Sequence, residues 1–420
     1  MSMRDGGMPA GIDEAIVDPR TYATPAVYDE LFSRLRRDDP VHWTQPQGHR
    51  PFWTVSRYAD IQDVEINSQR FLNAPRLVLR SIEAEERVKA LTGGRSLLLR
   101  NLVNMDGEEH QAYRRLTQTW FAPARLRQLE PELRALARRY VDRMLEMGGA
   151  CDFAKDVAVW FPLHVIMHIL GVPETDEPLM LKLTQQLFGP DDPDIKTAAP
   201  TDLVSTVEEF FAYFGKLTSE RRARPGDDVA SLIANAEVGG QRIGDHEALS
   251  YYIIVATAGH DTTSSTIAGG LLALLQNPAE MARLRADPAL LPSAIDEMLR
   301  WVSPVKNFFR TAAEDTEVRG QPVRAGESLL MCYPSANRDE EVFEDPFRFD
   351  ITRSPNRHLA FGYGPHVCLG MHLAKLEIRI LMEELLRRVE AIELAGEPAW
   401  LNANFVSGLK RLPIAYRAAA

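Results

Sequence analysis

The stretch Phe361-Gly-Tyr-Gly-Pro-His-Val-Cys-Leu-Gly370 decides the fold, because it places one thiol, Cys368, among three glycines behind an aromatic residue. Glycine allows a backbone to approach a bulky group closely or to adopt a positive φ. The stretch predicts a loop that opens a helix at Cys368, where backbone N–H groups and the helix dipole lower the pKa of a thiol from about 8.5. Thiolate is a soft ligand that suits iron. Average residue usage makes this spacing of Phe, Gly, Gly, His, Cys and Gly a chance event in about one in a million chains of this length.

Four other interpretations of this stretch are weaker. A lone cysteine is most often an unreactive core residue, which is the interpretation we keep for Cys151 and Cys332. A dinucleotide-binding loop would need glycine where Val367 stands. A structural zinc site would need a second cysteine close to Cys368, and a thiol hydrolase with His366 as its base would lack a third, orienting group.

The composition of the 420 residues is that of a folded globular protein, with 45% apolar and 25% charged residues. The net charge of −11, from 48 Lys and Arg against 59 Asp and Glu, argues against a nucleic acid partner. Three cysteines cannot form a disulfide framework and indicate a reducing cytoplasm. The first 25 residues contain no apolar stretch behind a basic start, so we expect neither a signal peptide nor a membrane anchor.

Helical periodicity dominates the chain, and strand signals are short and scattered. Asp106 and Ser293 are candidate N-terminal caps. The predicted helices are 106–122, 128–147, 245–277, 293–303 and 369–388. The predicted strands are 41–43, 52–55, 323, 328–332 and 413–416. Without βαβ alternation, repeats or a linker, the sequence predicts a mainly α protein with minor β in one domain.

The longest apolar stretch, 248–275, is interrupted at its centre by Ala-Gly-His-Asp-Thr-Thr-Ser-Ser-Thr (258–266), which is too polar for a membrane span. It predicts a buried helix with polar groups in its middle. Thr262 follows Ala258 by four residues on the same face, so its hydroxyl can donate to that carbonyl oxygen and distort the helix. Gly259 leaves room for a ligand. The alternative is a threonine that only satisfies its own hydroxyl.

The stretch 361–370 resembles the haem-binding loop of the cytochrome P450 family, Phe-Gly-x-Gly-x-His-x-Cys-x-Gly, at every fixed position. The resemblance implies the cytochrome P450 fold, a single triangular haem domain over residues 1–420, and haem b as the cofactor. It implies Cys368 as the proximal iron ligand, a thiolate that pushes electron density toward O–O cleavage. It further implies Phe361 and Gly370 beside the haem and His366 at a haem propionate.

The same resemblance assigns the polar centre of the long helix to oxygen activation. It implies that the Thr262 hydroxyl hydrogen-bonds the bound oxygen and that Asp261 helps to relay protons. His260 is interpreted as a bystander, since a lone histidine is more often a satisfied side chain than a ligand.

Three cations match the positions at which the family holds the haem propionates. His110 and Arg114 lie four residues apart on one helix face, and Arg310 follows Pro304-Val305. Arginine suits a carboxylate because its fork binds both oxygens. The alternative for each of these groups is a solvated surface cation.

Glu297 and Arg300, at positions i and i+3 of a helix, resemble the family's Glu-x-x-Arg pair. An exposed pair of this kind contributes only about 0.2–0.5 kcal/mol and is common. The resemblance implies a structural role, with Arg348 completing the pair. Phe347 departs from the acidic residue that the family commonly has there.

The resemblance places the substrate against variable and mostly apolar segments, which implies a hydrophobic substrate held by area burial. Asn307 is the candidate polar contact. The pocket residues implied by family position are Val255, Ala258, Val305, Asn307, Phe308 and Val406, with Phe405 and parts of 71–103 and 179–214. The overall pattern is similar to bacterial hydroxylases of terpenoids, alkyl-aromatic hydrocarbons and sterol side chains.

The implied activity is O₂-dependent hydroxylation of a C–H bond in a terpenoid or alkyl-aromatic hydrocarbon. The alternatives are a sterol side-chain or other lipid hydroxylase, a peroxygenase, and a haem-thiolate binding or sensor protein without turnover. The acid and alcohol at 261 and 262 favour the O₂ route.

The implied electron donors are separate proteins, an acidic iron–sulfur ferredoxin and an NAD(P)H-dependent ferredoxin reductase, because one haem domain fills the chain. A basic cluster is the candidate docking surface for the ferredoxin, and solvated helix faces are the alternative. The cluster comprises Arg114, Arg115, Arg125, Arg127, Arg357, His358, Lys375, Arg379, Arg387 and Arg388.

Overall fold

Helices form most of the backbone in the computed structural model, which describes residues 11–188, 192–194 and 203–419. The α-helices are α1 (Ile12–Val17), α2 (Pro19–Tyr22), α3 (Pro25–Asp38), α4 (Tyr58–Ile66), α5 (Ile82–Leu91), α6 (Gly107–Thr117), α7 (Pro123–Glu146), α8 (Trp160–Leu170), α9 (Glu177–Phe188), α10 (Leu203–Ala223), α11 (Val229–Ala234), α12 (Asp245–Ala258), α13 (Asp261–Gln276), α14 (Pro278–Ala286), α15 (Leu291–Val302), α16 (Tyr333–Ala336) and α17 (Met371–Arg388). A π-helical turn (Ala154–Ala158) and the 3₁₀ turns Glu174–Asp176, Pro288–Leu290 and Gly364–His366 complete the helical elements. The predicted class, mainly α with minor β, is confirmed.

The strands collect into small sheets. They are β1 (Val41–Thr44), β2 (Phe52–Val55), β3 (Phe71–Leu72), β4 (Ala150–Asp152), β5 (Glu237–Val238), β6 (Gln241–Arg242), β7 (Asn307–Ala312), β8 (Thr316–Val318), β9 (Gln321–Val323), β10 (Ser328–Cys332), β11 (Val389–Leu394), β12 (Ala399–Trp400), β13 (Leu409–Arg411) and β14 (Pro413–Ala418). The main sheet has the order β1-β2-β10-β7-β3 with β2 and β10 parallel, and a second sheet has the order β11-β14-β4. Three two-stranded ribbons pair β5 with β6, β8 with β9 and β12 with β13.

Strand β7 is a central element that the sequence did not predict. It lies between β10 and β3, and five of its six residues are buried. Because both of its faces are covered, it lacks the alternation of polar and apolar residues that marks a half-buried strand. Asn307 and Arg310 also gave the stretch a polar character. The strand fixes Arg310 opposite Leu329 of β10, at the inner side of the sheet.

The predicted helix 245–277 is two helices, α12 and α13, separated by a break at Gly259 and His260. A Cβ at Gly259 would lie 2.5 Å from Ile166 of α8 and 2.6 Å from the carbonyl oxygen of Val255. Only glycine therefore lets α8 pack against the break. The Thr262 hydroxyl donates to the Ala258 carbonyl oxygen at 3.2 Å, as its spacing predicted.

Neither predicted helix cap forms. The Asp106 carboxylate accepts from the backbone N–H groups of Asn73, at 2.8 Å, and Ala74, at 3.1 Å, so it ties the loop after β3 to α6. Ser293 lies inside α15, and its hydroxyl donates to the Leu290 carbonyl oxygen at 2.9 Å. In both places a competing partner captures the side chain.

A buried ion-pair network anchors α15 to the segment after α16. Glu297 and Arg300 are fully buried, with the Arg300 Nη2 atom 2.7 Å from Glu297 Oε1. The cation that completes the pair is Arg353, at 3.2 Å from Glu297, and the prediction of Arg348 is wrong. The Arg348 side chain is exposed, and Arg348 contributes only its carbonyl oxygen to Arg300. Asn356 donates a further hydrogen bond to Glu297 at 3.0 Å.

The largest apolar core surrounds α13, which packs against α8, α15 and α17, while α17 also packs along α7. Within the described ranges, no helix combines the length and the apolar character needed to cross a bilayer. The break at the start of α13 and the loop before α17 therefore face each other from two well-buried helices.

Candidate active site

A cavity of about 800 Å³ lies between the break in the central helix and the loop that precedes α17. Ala258 and Thr262 line it on the side of the break. Phe361, Cys368 and Gly370 line it on the side of the loop. The structure therefore brings the two main predicted motifs together at one cavity.

Cys368 stands just before α17, and its backbone N–H donates to the Phe361 carbonyl oxygen at 2.9 Å. The thiol is accessible from the cavity. Burial raises the pKa of Cys368, while backbone N–H groups of Gly370 and Met371 and the charge of Arg114 act in the opposite direction. The expected lowering of this pKa is wrong for the thiol by itself, because desolvation of a thiolate outweighs those groups. A metal cation reverses the balance, since a coordinating thiol is deprotonated outright.

The glycines of the loop have two different functions. Gly362 and Gly364 have φ of +70° and +68°, and a Cβ at Gly364 would lie 2.7 Å from the carbonyl oxygen of Glu65. Gly370 has an ordinary φ, and a Cβ there would meet no protein atom within 4 Å. The first two glycines shape the loop against α4, whereas Gly370 keeps open space beside Cys368.

Four groups that can carry positive charge meet at one wall of the cavity: His110, Arg114, Arg310 and His366. The rings of His110 and His366 stack with centroids 3.8 Å apart. Burial lowers the pKa of His110 to about 4, and burial together with His110 and the two arginines lowers the pKa of His366 to about 2. Nε2 of His110 is buried without a hydrogen-bond partner, and Arg114 has no ion-pair or hydrogen-bond partner in the described part of the chain. This wall suits a ligand with several negative oxygens.

Glu65 is a residue of this wall that the motifs did not reveal. Its Oε1 atom accepts from Arg310 at 2.8 Å and from the Tyr333 hydroxyl at 2.6 Å, while Oε2 is buried without a hydrogen-bond partner. Burial raises the pKa of Glu65 against the opposing effect of Arg310. The available signal was its position four residues after Ile61, on the buried face of α4.

Asp261 does not line the main cavity. It lines a second cavity of about 240 Å³ together with Lys155, Ser264 and Lys410. His260 is fully buried, with Nδ1 2.9 Å from the Ala256 carbonyl oxygen and Nε2 3.2 Å from Asp261. Burial alone would lower the pKa of His260, but Asp261 raises it overall. His260 is thus satisfied at Nδ1, whereas its buried Nε2 lies beside the Asp261 carboxylate without forming a hydrogen bond, so the expectation of a satisfied side chain holds for one ring nitrogen only.

The predicted substrate pocket is largely assembled in the main cavity. Val255, Ala258, Val305, Phe308 and Val406 all line it. Val406 also lines the second cavity, and its backbone forms a bridge with Val305. Of the two predicted variable segments, 71–103 contributes a long stretch of wall, and 179–214 contributes through α9 and α10. Residues 189–191 and 195–202 of the latter lie outside the described residues.

Asn307 does not line the cavity, contrary to the expectation of a polar contact with substrate. The side chain is fully buried in β7, where its Nδ2 donates to the Asn404 carbonyl oxygen at 2.7 Å. Alternation along the strand turns the side chain of its neighbour Phe308 to the cavity instead.

The cytochrome P450 family profile matches residues 43–407. The chain is a cytochrome P450. It is 44% identical to cytochrome P450-terp from a Pseudomonas species over 97% of this chain and 98% of that protein. It is 34% identical to linalool 8-monooxygenase from Pseudomonas putida over 93% and 96% of the two chains. The crystal structure of CYP108D1 from Novosphingobium aromaticivorans superposes with a TM-score of 0.91 and 46% identity, covering 99% of this chain and all of that one.

Membership of the family confirms the predicted fold, cofactor and class of enzyme. This P450 is a haem-thiolate monooxygenase that hydroxylates hydrophobic substrates and needs O₂ and redox partners. The cavity fits the haem on three observations: the accessible sulfur of Cys368, the open space at Gly370, and the buried, unpaired Nε2 of His110 beside Arg114.

Proposed function

We propose that this P450 hydroxylates a C–H bond of a terpenoid or alkyl-aromatic compound. The observation that carries the proposal is one cavity lined by both Cys368 and Thr262 and, for most of its remaining surface, by apolar residues. Apolar surface binds such skeletons at about 25 cal/mol per Å² of buried area. Linalool 8-monooxygenase, named for a terpenoid, and CYP268A2 from Mycobacterium marinum, crystallised with pseudoionone, are both relatives.

Cys368 is the proposed ligand of the haem iron, with Phe361 and Gly370 beside it. His110, Arg114, Arg310 and His366 would hold the propionates, with Arg114 and Arg310 supplying positive charge and the two histidines supplying ring N–H donors at the same wall of the cavity. Thiolate-ligated haem supplies the O₂ chemistry when bound, while the protein supplies orientation and electrostatics.

Thr262 and Asp261 have different proposed roles in proton transfer. The Thr262 hydroxyl is fixed by its bond to the Ala258 carbonyl oxygen and faces the main cavity. Asp261, held by His260, faces the smaller polar cavity with its two lysines. Asp261 would exchange protons on the polar side of α13, and Thr262 would present a hydroxyl on the apolar side.

Replacement of Thr262 by Ala tests this role. Product formation is expected to fall by roughly 100-fold, the contribution of a positioned proton donor, while NAD(P)H consumption continues and released peroxide accumulates. Thr218→Ala is the matched control, because Thr218 also donates to the carbonyl oxygen four residues earlier, at 2.7 Å, and does not line the cavity. Equal product yields from the two variants would reject the role of Thr262.

The ligand assignment is tested by the absorption spectrum of the dithionite-reduced protein under CO. A strongly red-shifted Soret band in the wild type, lost in Cys368→His and kept in Cys151→Ser, supports Cys368 as the ligand. A histidine-type spectrum in the wild type would reject it.

Sterol side chains are the second candidate substrate class. Steroid C26-monooxygenases from Mycolicibacterium smegmatis are relatives, one of them 39% identical over 76% of this chain. Product analysis by mass spectrometry with linalool, 4-isopropyltoluene and cholest-4-en-3-one separates the classes. Oxidation of only the sterol would overturn the terpenoid and alkyl-aromatic proposal.

An acidic iron–sulfur ferredoxin with an NAD(P)H-dependent reductase is the proposed source of electrons. Most of the predicted basic cluster is paired internally: Arg125 with Asp227, His358 and Lys375 with Asp296, Arg379 with Glu130, Arg387 with Glu384, and Arg388 with Asp142. Arg114 lies at the cavity wall. Arg115, Arg127 and Arg357 are exposed and form no ion pair in the described ranges, so they support the docking surface.

Two further proposals concern the chain as a whole. The three cysteines are free thiols, which favours a reducing cytoplasm. The family match over 43–407 supports a single haem domain spanning residues 1–420.

A further inference from the structure

Arg80 is a charged residue of the main cavity that the proposed function does not use. It lies between β3 and α5, is partly buried, and lines the cavity. Its guanidinium has no hydrogen bond or ion pair with any residue that the structure describes. Each nitrogen atom of its guanidinium keeps some accessible surface, so these atoms border open space. A buried cation without a partner is costly, and such groups are normally paired.

The nearest carboxylates cannot supply that partner. Glu85 contributes favourable charge, but Arg50 binds it at 2.8 Å and Arg76 at 3.0 Å. Glu86 is shared by Arg50 and Lys89. The side chains around Arg80 therefore leave an excess of positive charge, and burial lowers the pKa of Arg80 more than Glu85 raises it.

The backbone N–H groups at the start of α5 cannot be partners for Arg80, because they are donors and a guanidinium accepts no hydrogen bond. The Ile82 N–H donates to the Gly48 carbonyl oxygen at 2.8 Å, and the Ala84 N–H donates to the Ser81 hydroxyl at 3.2 Å. These bonds place Arg80 beside the exposed residues 48 and 50, at a side of the cavity that approaches the surface. The cavity that Arg80 lines is mostly apolar, with Val17, Leu77 and Val88 among its lining residues.

The other cations of the cavity belong to the proposed propionate wall. Arg80 comes from a different segment from His110, Arg114, Arg310 and His366, and it neither contacts them nor perturbs their pKa values. An isolated guanidinium in an apolar wall matches one planar anion, because its fork can donate two parallel hydrogen bonds. A phosphate dianion would call for more donors than this wall offers.

We infer that Arg80 binds a carboxylate of the substrate, so that the substrates are hydrophobic acids with the anion near the mouth of the cavity. The inference rests on the proposed function and narrows it to terpenoid or alkyl-aromatic skeletons that carry a carboxylate.

The test compares matched acids and esters on the haem-loaded protein. The probes are 4-isopropylbenzoic acid and geranic acid, each against its methyl ester, with binding followed by the low-to-high spin shift of the haem spectrum. Arg80→Gln is expected to weaken binding of the acids by about 10- to 100-fold, the range for a lost charge-assisted hydrogen bond. Binding of the esters is expected to change less than about twofold.

Two further variants control for charge and packing. Arg95→Gln removes the same charge from an exposed residue that does not line the cavity, and it should leave both affinities unchanged. Arg80→Lys keeps the charge without the fork and should retain part of the preference for acids.

The possible results distinguish the anion site at Arg80 from the proposed function. Equal losses for acid and ester in Arg80→Gln, or wild-type binding of esters but not acids, would overturn the anion site. Arg80-dependent binding of the acids without any hydroxylated product would support the site and overturn the proposed function.

Discussion

Two buried carboxylates, Glu297 on α15 and Glu65 on α4, illustrate opposite uses of charge inside this P450. Glu297 is bound by Arg300, Arg353 and Asn356, so both of its oxygens are satisfied. Glu65 binds Arg310 through one oxygen and keeps the other buried and unpaired at the cavity wall. We call a network closed when both carboxylate oxygens are paired and open when one is unpaired. The closed network of Glu297 holds segments together, whereas the open network of Glu65 leaves an oxygen available to a ligand.

Breaking the closed network is expected to have the largest effect. Glu297→Gln should lower the free energy of unfolding by about 3–5 kcal/mol, because Arg300 is left buried without its counter-charge. Urea denaturation measures the change. Glu83→Gln, on the exposed face of α5, is the control and should stay within about 0.5 kcal/mol of wild type. A small effect for Glu297→Gln would mean that the network contributes little to the fold.

Opening the second network further should affect the haem as well as the fold, because Glu65 is left buried without its counter-charge. Arg310→Gln removes a charge-assisted partner of the propionates, so haem transfer to an excess of a haem-binding apoprotein should become about 10- to 100-fold faster. Arg319→Gln is the control, since Arg319 pairs with Asp60 of α4 at 2.7 Å and does not line the cavity. Unchanged haem transfer in Arg310→Gln would place Arg310 in a closed, structural pair with Glu65.

Glu377 of α17 extends the comparison to a carboxyl group with no partner. It is fully buried, neither oxygen has a hydrogen-bond partner within the described residues, and burial raises its pKa well above the usual value. Burial would also raise the pKa of Glu297, but its hydrogen bond to Arg300 lowers it overall. The two groups should therefore give opposite dependences of stability on pH.

The contribution of Glu377 to the free energy of unfolding is present below its unfolded pKa of about 4.3 and is lost as pH rises through its folded pKa. The contribution of Glu297 is instead lost as pH falls through its lowered folded pKa. Glu377→Gln should thus become steadily more stable relative to wild type as pH rises from 4 to 8, because only the wild type must ionise or keep protonated a buried carboxyl group. Urea midpoints across this range measure it. Parallel curves for the variant and wild type would show that Glu377 does not titrate.

The smallest effect is expected for two surface arginines, one without an ion pair and one with an ion pair. Arg115→Glu should slow reduction by ferredoxin about threefold and flatten its salt dependence, because an exposed charge contributes less than about 1 kcal/mol. Arg379→Glu should slow this reduction less than Arg115→Glu does, because Arg379 is already paired with Glu130 at 3.0 Å. Equal rates for Arg115→Glu and wild type at low salt would remove Arg115 from the docking surface.

Sequence patterns predicted the parts of the site that are local along the chain. The loop 361–370 carries its own turn glycines, thiol and helix start, and Thr262 finds its acceptor four residues earlier. The mainly helical class followed from periodicity in the same way. These features need no information from distant segments.

The parts that sequence missed depend on distant partners. Glu65 meets Arg310 across 245 positions in the chain, and Arg353 replaces the expected Arg348 because the loop after α16 turns it toward Glu297. Asn307 was assigned to the pocket although its side chain lies on the other face of an unpredicted strand. A polar residue on an apolar face signals burial, but only the fold determines its partner.

Val406 is a shared boundary of the two cavities. It lines both the cavity at Cys368 and the smaller cavity at Asp261, and its bridge to Val305 fixes the backbone at this point. In a redesign of the pocket, a smaller residue at position 406 would therefore tend to connect the two cavities as well as enlarge the room for the substrate.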